Sequence, residues 1–389
     1  MTNHRVLIPV SHPLGGIRTY MLYFFRRLHN TGSYKFTFLS ETSNAFDLLK
    51  RDFKDMKDAE FIEIPPQSGV RTTLKTIRQA IKSRQFDLIH SQGLKAGTET
   101  AAANYFSNIP HLITLHDVII PQNEIPGRFK HLKRAIISFL TRHVSFIIPV
   151  SYDCESNHLQ NFPAWRHGPV KVKTILNGID IERIKQSQST LSADCNTLNF
   201  RGQFDIDSNV ILGGFFGRFM HQKGIDVLLK SLELLVDRGY ADRFRLIITR
   251  DFNGFLDETI KLVTENSKIA RMIHFIDPVT DITPLLLGID VMVAPSRWEA
   301  CPLLPMESLV LGVPVIGSNC IGLREVLNGT PSLIHENGNP ESLATMLIKF
   351  IESPTTDAAK QYVSESVKRF DIRSSADQLL EIYQSLCNS

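Results

Sequence analysis

One stretch, residues 289–327, most constrains how this chain can fold, because short apolar segments alternate there with a loop and a helical segment. Val291–Ala294 is a compact apolar run typical of a buried parallel strand, and Val313–Gly317 is a second. The pattern between them predicts a loop and then a helix over Leu303–Leu311, ended by a glycine and a proline. Strand, loop, helix and strand form a βαβ unit, whose ligands bind beyond the carboxyl ends of the strands and against helix N-termini.

Two carboxylates flank the start of this helix. Pro302 and Pro305 are tolerated only near the first helical turn, so Glu299 lies just before the helix and Glu307 lies on it. A carboxylate accepts two hydrogen bonds at once, which suits the vicinal hydroxyls of a sugar or ribose, and free N–H groups between the two suit a phosphate. The structural alternative is that Glu299 caps the helix and Glu307 is a solvated helical glutamate.

The same stretch resembles the E-x7-E signature of retaining glycosyltransferases of the GT-B fold, in particular family 4. The matching positions are Pro295-Ser296, Glu299, Glu307-Ser308, Gly312-Val313-Pro314-Val315-Ile316 and Glu325. The resemblance implies that Glu299 contacts the donor sugar and Glu307 holds the nucleotide ribose. This chain has Ala-Cys-Pro at 300–302 where Gly-Phe-Gly is common in the family. Because Pro302 has no N–H, the identity of the sugar stays open.

Length and composition are those of a two-domain globular enzyme. The chain has 389 residues, 43% of them hydrophobic and 21% charged. No apolar run approaches the roughly 18 residues that span a bilayer, and the N-terminus does not resemble a signal peptide. Five scattered cysteines without a C-x-x-C pair favour a reduced, cytoplasmic compartment and disfavour a disulfide framework or a zinc site.

Charge is unevenly placed along the chain. Residues 1–180 carry 23 Lys and Arg against 14 Asp and Glu, whereas the remainder carries 20 against 26. A basic first half predicts an anionic partner, such as an anionic membrane surface, although chance asymmetry on solvated faces explains the counts equally. We expect no nucleic-acid partner.

Strand and helix signals alternate through the first half, beginning with a strand over residues 5–10 and a helix over Ile17–Leu28. Gly15 and Gly16 lie between them, and paired glycines let the backbone approach a phosphate closely. A tight turn would explain the pair as well. In the family resemblance this loop lies against the phosphates of the donor.

His116 and Asp117 follow the strand predicted over His111–Leu115, at the edge of the sheet where active-site groups collect. A packed, hydrogen-bonded core histidine is the structural alternative. The segment resembles the family's T-x-H-D sequence, and residues 90–93 (HSQG) resemble its H-S-H-G. The resemblance implies that His116 reaches the transferred sugar.

Residues 125–146 combine a basic face with apolar residues at helical spacing. Such a helix can lie on an anionic membrane surface. An amphipathic helix packed on its own sheet is the alternative.

The second half opens with a strand over Val210–Phe216 that leads into residues 217–224 (GRFMHQKG). This segment resembles the family's G-R-L…K-G element. Arg218 offers a rigid fork of donors to a diphosphate, and Lys223 offers a mobile point charge. Residues 249–254 depart from the family's glycine-rich G-x-G-P, so the nucleotide base stays open.

These features predict an α/β protein of the GT-B fold, with two Rossmann-like doubly wound parallel-sheet domains facing an interdomain cleft. We expect an acceptor-side domain at 1–184, a polar linker at 185–207 and a nucleotide-sugar-binding domain at 208–365. The resemblance implies that a last helical segment, 366–389, crosses back to the first domain.

The resemblance implies a retaining transferase that moves a hexose-type sugar from a nucleotide-sugar to a glycan or lipid-linked acceptor hydroxyl, in bacterial surface polysaccharide assembly at the cytoplasmic face. Leaving-group charge would be stabilised by Arg218, Lys223, the Gly15-Gly16 amides and the helix start at Leu303-Leu304, so we expect no metal or cofactor. Glu299 and His116 would hold the sugar. The alternatives are a nucleotide-sugar 2-epimerase of the same architecture and a non-catalytic sugar-nucleotide-binding protein.

Overall fold

Two parallel β-sheets organise the protein in the computed structural model, which describes residues 3–120, 129–194, 199–250, 265 and 268–388. The chain divides into two compact units, Met1–Gly178 with Ile372–Ser389 and Ile179–Asp371. None of the helices in the described ranges has both the length and the apolar character that a bilayer span requires.

The first unit contains a seven-stranded sheet in the order β3-β2-β1-β4-β5-β6-β7. Its strands are β1 (His4–Pro9), β2 (Tyr34–Glu41), β3 (Glu60–Ile64), β4 (Leu88–Gln92), β5 (His111–Leu115), β6 (Phe146–Pro149) and β7 (Lys171–Val172). The second unit contains a six-stranded sheet in the order β10-β9-β8-β11-β12-β13. Its strands are β8 (Ile211–Phe215), β9 (Phe244–Thr249), β10 (Ile273–Ile276), β11 (Val291–Ala294), β12 (Val315–Ser318) and β13 (Leu333–His335).

Helices connect successive strands in both units. The helices up to Gly178 are α1 (Gly16–His29), α2 (Asn44–Asp52), α3 (Val70–Arg84), α4 (Leu94–Asn104), α5 (Phe129–Thr141), α6 (Tyr152–Asn161) and α7 (Ala164–His167). Those of the second unit are α8 (Ile181–Asp194), α9 (Phe200–Gln203), α10 (Ile225–Asp237), α11 (Thr283–Leu287), α12 (Leu303–Val310), α13 (Leu323–Leu327), α14 (Pro340–Glu352), α15 (Thr356–Gln361) and α16 (Val363–Phe370). The last helix, α17 (Ile372–Cys387), belongs to the first unit.

The predicted α/β class with two parallel-sheet domains is confirmed. Every residue of β4, β5, β11 and β12 is buried, as expected of strands that helices cover on both faces. Several helix starts are set by short polar caps: Ser43 Oγ accepts from Phe46 N, and Ser151 Oγ accepts from Cys154 N.

Both sheets reverse their strand order at one point, between β1 and β4 in the first unit and between β8 and β11 in the second. The loops that follow two such adjacent strands diverge and leave a crevice where α/β proteins bind ligands. The glycine pair at 15–16 follows β1, and Lys223 and Glu299 come from the loops after β8 and β11. Sheet topology therefore places predicted site residues at the switch point of each unit.

The structure does not show the linker predicted over 185–207. Helix α8 covers much of it, α9 follows, and residues 195–198 lie outside the described residues. Ile181 and Ile184 are buried, Asp180 Oδ1 accepts from Arg183 N at the start of the helix, and α8 packs against α11. Two buried isoleucines in a polar segment are too few to show helical periodicity, so the sequence pattern does not predict this helix. Tertiary packing stabilises it instead.

Candidate functional site

The loop after β8 presents a cation at the switch point of the second unit. A short 3-10 turn, His221–Lys223, ends at Gly224, whose φ of +69° is the left-handed conformation that glycine adopts at little cost. Helix α10 begins immediately afterwards. Lys223 is therefore held between a strand end and a helix start, as predicted.

Glu299 receives two hydrogen bonds on one carboxylate oxygen. Lys223 Nζ donates to Glu299 Oε1 over 2.6 Å, and Ser296 Oγ donates to the same atom over 2.8 Å. The residue is only 7% exposed, and its backbone N–H donates to the carbonyl of Ile321 over 3.0 Å. Charge-assisted bonds of this kind hold the carboxylate in one orientation.

A second set of contacts joins the loops after β8 and β11. Arg297 forms a bidentate pair with Asp226 of α10, both N–O distances being 2.7 Å, and its backbone N–H donates to the carbonyl of Gln222. The Gln222 side chain donates in turn to the carbonyl of Trp298 over 3.1 Å. The Arg297 guanidinium also holds the pKa of the Asp226 carboxyl below its ordinary value.

Two glycines allow these loops to approach each other. A Cβ on Gly224 would lie 2.1 Å from the Pro295 carbonyl oxygen, and a Cβ on Gly322 would lie 2.2 Å from the Glu299 carbonyl oxygen. Gly322 also has a φ of +77°. Any larger residue would push the loop that carries Glu299 away from its neighbours.

Helix α12 begins beside this carboxylate without a side-chain cap. Its N-cap is Pro302, which makes no side-chain cap hydrogen bond. The N-cap position is held by Pro302 and not by Glu299, whose Oε1 bonds to Lys223 and Ser296, so the alternative that Glu299 is the helix cap does not fit. An uncapped helix start offers N–H donors and the positive end of the helix dipole to an anion.

A cavity of about 50 Å³ opens at this point, and Lys223, Ser296, Glu299 and Leu304 are among its lining residues. Leu303 is buried and does not line it. The structure therefore brings together one predicted cation, one predicted carboxylate and part of the predicted helix start.

Glu307 and Arg218 are placed differently. Glu307 lies on α12 and is 7% exposed, so the alternative of a solvated helical glutamate does not fit. It is absent from the lining of the cavity. Arg218 is exposed, and its side chain makes no hydrogen bond or ion pair with the described residues. Its fork of donors is available to a ligand.

In the first unit, the predicted glycine pair begins helix α1. Gly15 is the N-cap with a φ of 53°, Gly16 is the first helical residue, and no side chain caps the helix. A Cβ at either glycine would meet no atom within 4 Å, so the space beside the helix start is open. No acidic residue occupies its first turn, which suits an anion there.

His116 is held by two neighbours from other elements. Its Nε2 lies 2.8 Å from Oε1 of Gln92, the last residue of β4, and its ring meets the ring of Tyr20 edge-on with centroids 4.6 Å apart. The histidine is half-buried and lines a large cavity. It therefore combines features of both predicted alternatives, being hydrogen-bonded in the core and accessible at one side.

Burial keeps several histidines of this unit neutral. Desolvation lowers the pKa of His111 and of His116 to about 3, and it lowers the pKa of His158 to about 4. His90 bonds to Tyr383 of α17 and to Thr114, and burial holds its pKa well below the ordinary value. At neutral pH these rings act as hydrogen-bond donors and acceptors without charge.

The large cavity of the first unit measures about 740 Å³ and lies at the carboxyl ends of β4 and β5. Its walls are mostly apolar and come from α1, α4, α5 and the segment after β5, and Gln92, His116 and Asp117 also line it. Helix α5 exposes Phe129, Leu132, Ile136 and Phe139. Residues 125–128 of the amphipathic segment predicted over 125–146 lie outside the described residues. Residues 251–254, part of the segment that departs from the family's glycine-rich G-x-G-P, also lie outside them.

Four residues at these sites were not predicted from the sequence as functional. Ser296 belongs to the Pro295-Ser296 match and stands three residues before Glu299, but neither feature assigned it a role. Gln92 was part of a recognised segment, yet nothing in the sequence pairs it with His116. The contact between Arg297 and Asp226 joins residues 71 positions apart and follows from the pairing of β8 with β11.

Two family models match the chain. Residues 14–183 match the model described as Glycosyltransferase Family 4, and residues 211–353 match the model described as Glycosyl transferases group 1. Together they cover most of both units.

Known proteins resemble the chain along most of its length. The capsular polysaccharide biosynthesis glycosyltransferase CapM of Staphylococcus aureus is 25% identical over 370 residues, which are 90% of this chain and 92% of that protein. A glycosyltransferase structure from Rickettsia africae superposes with a TM-score of 0.77 at 22% identity, covering 99% of each chain. The Anabaena protein HepE, solved in complex with UDP-glucose, gives a TM-score of 0.76 at 20% identity and covers 98% of this chain and 99% of its own. With matches in both units and a GT-B architecture, this chain belongs to the group 1, family 4 glycosyltransferases.

Proposed function

We propose that this glycosyltransferase moves a hexose-type sugar from a nucleotide-sugar donor to a hydroxyl of a glycan or lipid-linked acceptor, with retention at the anomeric carbon and without a metal ion. One observation carries the proposal: a buried carboxylate, oriented by Lys223 and Ser296, lies beside an uncapped helix start in one cavity. Carboxylates bind sugar hydroxyls, and helix N-termini bind phosphates.

The chemistry needs charge stabilisation on the leaving diphosphate. Lys223, the exposed fork of Arg218 and the N–H groups at Leu303 and Leu304 supply positive potential within the second unit. Glu299 Oε1 is engaged by two donors, which leaves Oε2 to accept from a sugar hydroxyl. In this proposal Glu307 holds the ribose, and no protein nucleophile is required.

The proposed donor is a uridine diphosphate sugar. The support is that the similar Anabaena protein has been solved with UDP and with UDP-glucose. CapM of Staphylococcus aureus and the teichuronic acid glycosyltransferase TuaC of Bacillus subtilis, which is 24% identical over 329 residues, carry names that refer to surface polysaccharides. We propose the same class of product here.

The acceptor is proposed to bind in the large cavity of the first unit. Its apolar walls favour an acceptor that carries a lipid over a free, fully polar glycan, because polar hydroxyls would lose water there without gaining partners. His116 and Asp117 form a polar end of this cavity, and the reacting hydroxyl is proposed to bind there. This differs from the family resemblance, which assigns His116 to the transferred sugar.

We propose that the enzyme works in the cytoplasm, at the inner face of the membrane. Lys130, Lys133 and Arg134 lie on α5, the helix that also exposes four large apolar side chains. A helix with exposed apolar residues and several cations can insert shallowly into an anionic bilayer surface.

The first experiment is a thermal-shift screen with UDP-, GDP-, ADP- and dTDP-sugars in the presence of a chelator. At 100 times the Kd, a bound donor stabilises the protein by about 2.7 kcal/mol. Glu307→Ala should abolish the shift, whereas Glu381→Ala, which alters an exposed glutamate on α17, should retain it. A shift that appears only after a divalent metal is restored would refute the metal-free part of the proposal.

Product analysis separates the remaining alternatives. With a lipid-linked acceptor, the anomeric proton coupling of the product should match that of the donor, and inversion would refute retention. Sugar released or epimerised without an acceptor would favour a hydrolase or a 2-epimerase. Binding without turnover across a panel of acceptors would favour a non-catalytic binding protein.

A further inference from the structure

Gln92 is buried, 2% exposed, at the carboxyl end of β4, beside the switch point of the first sheet. Its backbone is held on both sides, by a bridge to Val10 and by pairing with Thr114 of β5. A long polar side chain at such a position must find hydrogen-bond partners within the protein. It finds two, and they are of opposite kinds.

The first partner is the backbone carbonyl of His90, 3.2 Å from Gln92 Nε2. A carbonyl oxygen only accepts, so the NH2 group of the amide must face it. The other end of the amide, Oε1, then faces His116 Nε2 over 2.8 Å. Reversing the amide would put two acceptor oxygens against each other, so the backbone fixes the orientation.

The orientation of the amide determines the tautomer of the histidine. Oε1 of Gln92 only accepts, so Nε2 of His116 must carry the proton. A neutral imidazole has one N–H, which leaves a lone pair on Nδ1 of His116. Nδ1 has no hydrogen-bond partner among the described residues, and the histidine lines the large cavity of the first unit.

From this geometry we propose that Gln92 is a positioning residue for the transferase reaction: it locks His116 in the Nε2–H tautomer so that Nδ1 accepts a hydrogen bond from a substrate hydroxyl. The edge-on contact with the ring of Tyr20 limits rotation of the His116 imidazole ring. The inference rests on the proposed function in one respect, that a hydroxyl of a substrate reaches His116.

Two isosteric substitutions separate the parts of this role. Gln92→Glu keeps an acceptor for His116 Nε2–H but adds a negative charge 2.8 Å away, which favours the imidazolium. Gln92→Met removes the hydrogen bond and retains the volume. Gln79→Glu, the same chemical change at an exposed position of α3, is the matched control.

The direct measurement is the tautomer of His116 in the full-length protein. Long-range 1H–15N spectra, with the His116 signals assigned by difference from His116→Asn, should show the neutral Nε2–H form of the wild type at every pH from 5 to 8. A dominant Nδ1–H form would overturn the inference. This readout requires no activity, so it stands apart from the proposed function.

The second measurement is the pH profile of turnover. In Gln92→Glu the raised pKa of His116 should add a limb on which kcat falls as pH falls, because a protonated Nδ1 no longer accepts. Other titratable groups lie near the ring and affect the pH dependence of kcat in both proteins. They are Tyr20, His90 and Asp117 beside the ring, and His12, Lys95, Glu99, Lys133 and His158 around the cavity. These groups are common to both proteins, so a profile that matches the wild type would overturn the inference.

Gln92→Met should lower kcat by roughly tenfold or more through a misplaced ring, with unchanged donor binding and a thermal midpoint lowered by only a few degrees, because the His90 carbonyl and His116 Nε2–H lose their partner. Equal kcat in Gln92→Met and the wild type would also overturn the inference. If the tautomer is as expected but His116→Asn keeps full activity, Gln92 still orients the ring and the proposed contact between His116 and substrate fails instead.

Discussion

Breaking the contact between Lys223 and Glu299 should destabilise the second unit by an amount that a double-mutant cycle can isolate. The two charged atoms lie 2.6 Å apart, and the side chains are 26% and 10% exposed, respectively. This is a partly buried ion pair with one oxygen shared by Ser296. Its loss differs from the loss of a surface ion pair, which changes stability little.

The magnitude follows from what each substitution leaves behind. Lys223→Met keeps the aliphatic stem but leaves the carboxylate of Glu299 with Ser296 as its remaining side-chain donor. Removing one partner of a fully buried pair costs about 3–5 kcal/mol, and because the lysine is a quarter exposed we expect about 2 kcal/mol. Glu299→Gln should cost about 1–2 kcal/mol, and the double variant should cost about 1–2 kcal/mol less than the sum of the two.

The assay can be confined to the second unit because the chain has 2 tryptophans, one in each unit. Replacing Trp165 with phenylalanine leaves Trp298, which lies in the loop beside Glu299, as the fluorescent reporter. Urea unfolding then gives the free energy of unfolding of the unit that contains the pair. A loss of 2 kcal/mol corresponds to a fall of about 4–8 °C in the thermal midpoint for a unit of this size.

Lys230→Met provides the matched control, since Lys230 is exposed on α10 in the same unit. Its unfolding free energy should stay within about 0.5 kcal/mol of the parent. If Lys223→Met is as stable as Lys230→Met, or if the cycle is additive within error, the contact contributes nothing and the argument for an oriented carboxylate is wrong.

Three other outcomes are expected. Gly322→Ala should lower the unfolding free energy of the second unit by more than Gly329→Ala does. Both glycines have φ above +70°, but of these two only Gly322 would place a Cβ against a backbone oxygen, 2.2 Å away. If urea unfolding gives the same loss of about 1–2 kcal/mol for both variants, the steric argument is wrong. Arg218→Ala should leave unfolding unchanged and reduce turnover, and wild-type kinetics would remove its proposed role. Acidification from pH 7.5 to 5.5 should destabilise the first unit by about 1.4 kcal/mol for each of His111, His116 and His158, because these rings bind a proton near pH 6.5 when unfolded but only near pH 3 or 4 when folded. The fluorescence of Trp165 in a Trp298→Phe background measures the unfolding free energy of this unit at each pH. A stability that does not change with pH would contradict the burial of these histidines in the neutral form.

Buried parallel strands were the part of the fold most readily predicted from sequence. The bounds of β5 and β11 coincide with the strands predicted there, because a strand covered on both faces is mostly apolar along its length. Strand β13, Leu333–His335, has three residues and was not predicted, since so short a segment carries no periodicity.

Helix α8 shows the opposite limit. Its polar composition predicted a linker, yet it packs on α11, and Ser187 donates a hydrogen bond to Asp281. Such contacts between residues 94 positions apart lie beyond any local pattern. Tertiary packing overrode the local signal there.

At the candidate site, sequence indicated which residues matter but not how they are held. The motif located Glu299 and Lys223 because strand ends and helix starts are readable from apolar runs, glycines and prolines. Their contact depends on β8 lying beside β11 and on the left-handed turn at Gly224. The pairing of Gln92 with His116 depends likewise on β4 lying beside β5.

The start of α12 explains why cations should contribute much of the donor affinity in this protein. Pro302 at the N-cap and Pro305 in the first turn have no N–H, so this helix start offers fewer donors to a phosphate than an ordinary one. The remaining N–H groups of the first turn include those of Leu303 and Leu304. A diphosphate bound there must therefore depend on Lys223 and Arg218 for much of its stabilisation, and Lys223 is already partly neutralised by Glu299. Of these two cations, the exposed guanidinium of Arg218 is then the one whose removal should weaken donor binding more, and whose contribution should fall more steeply with added salt.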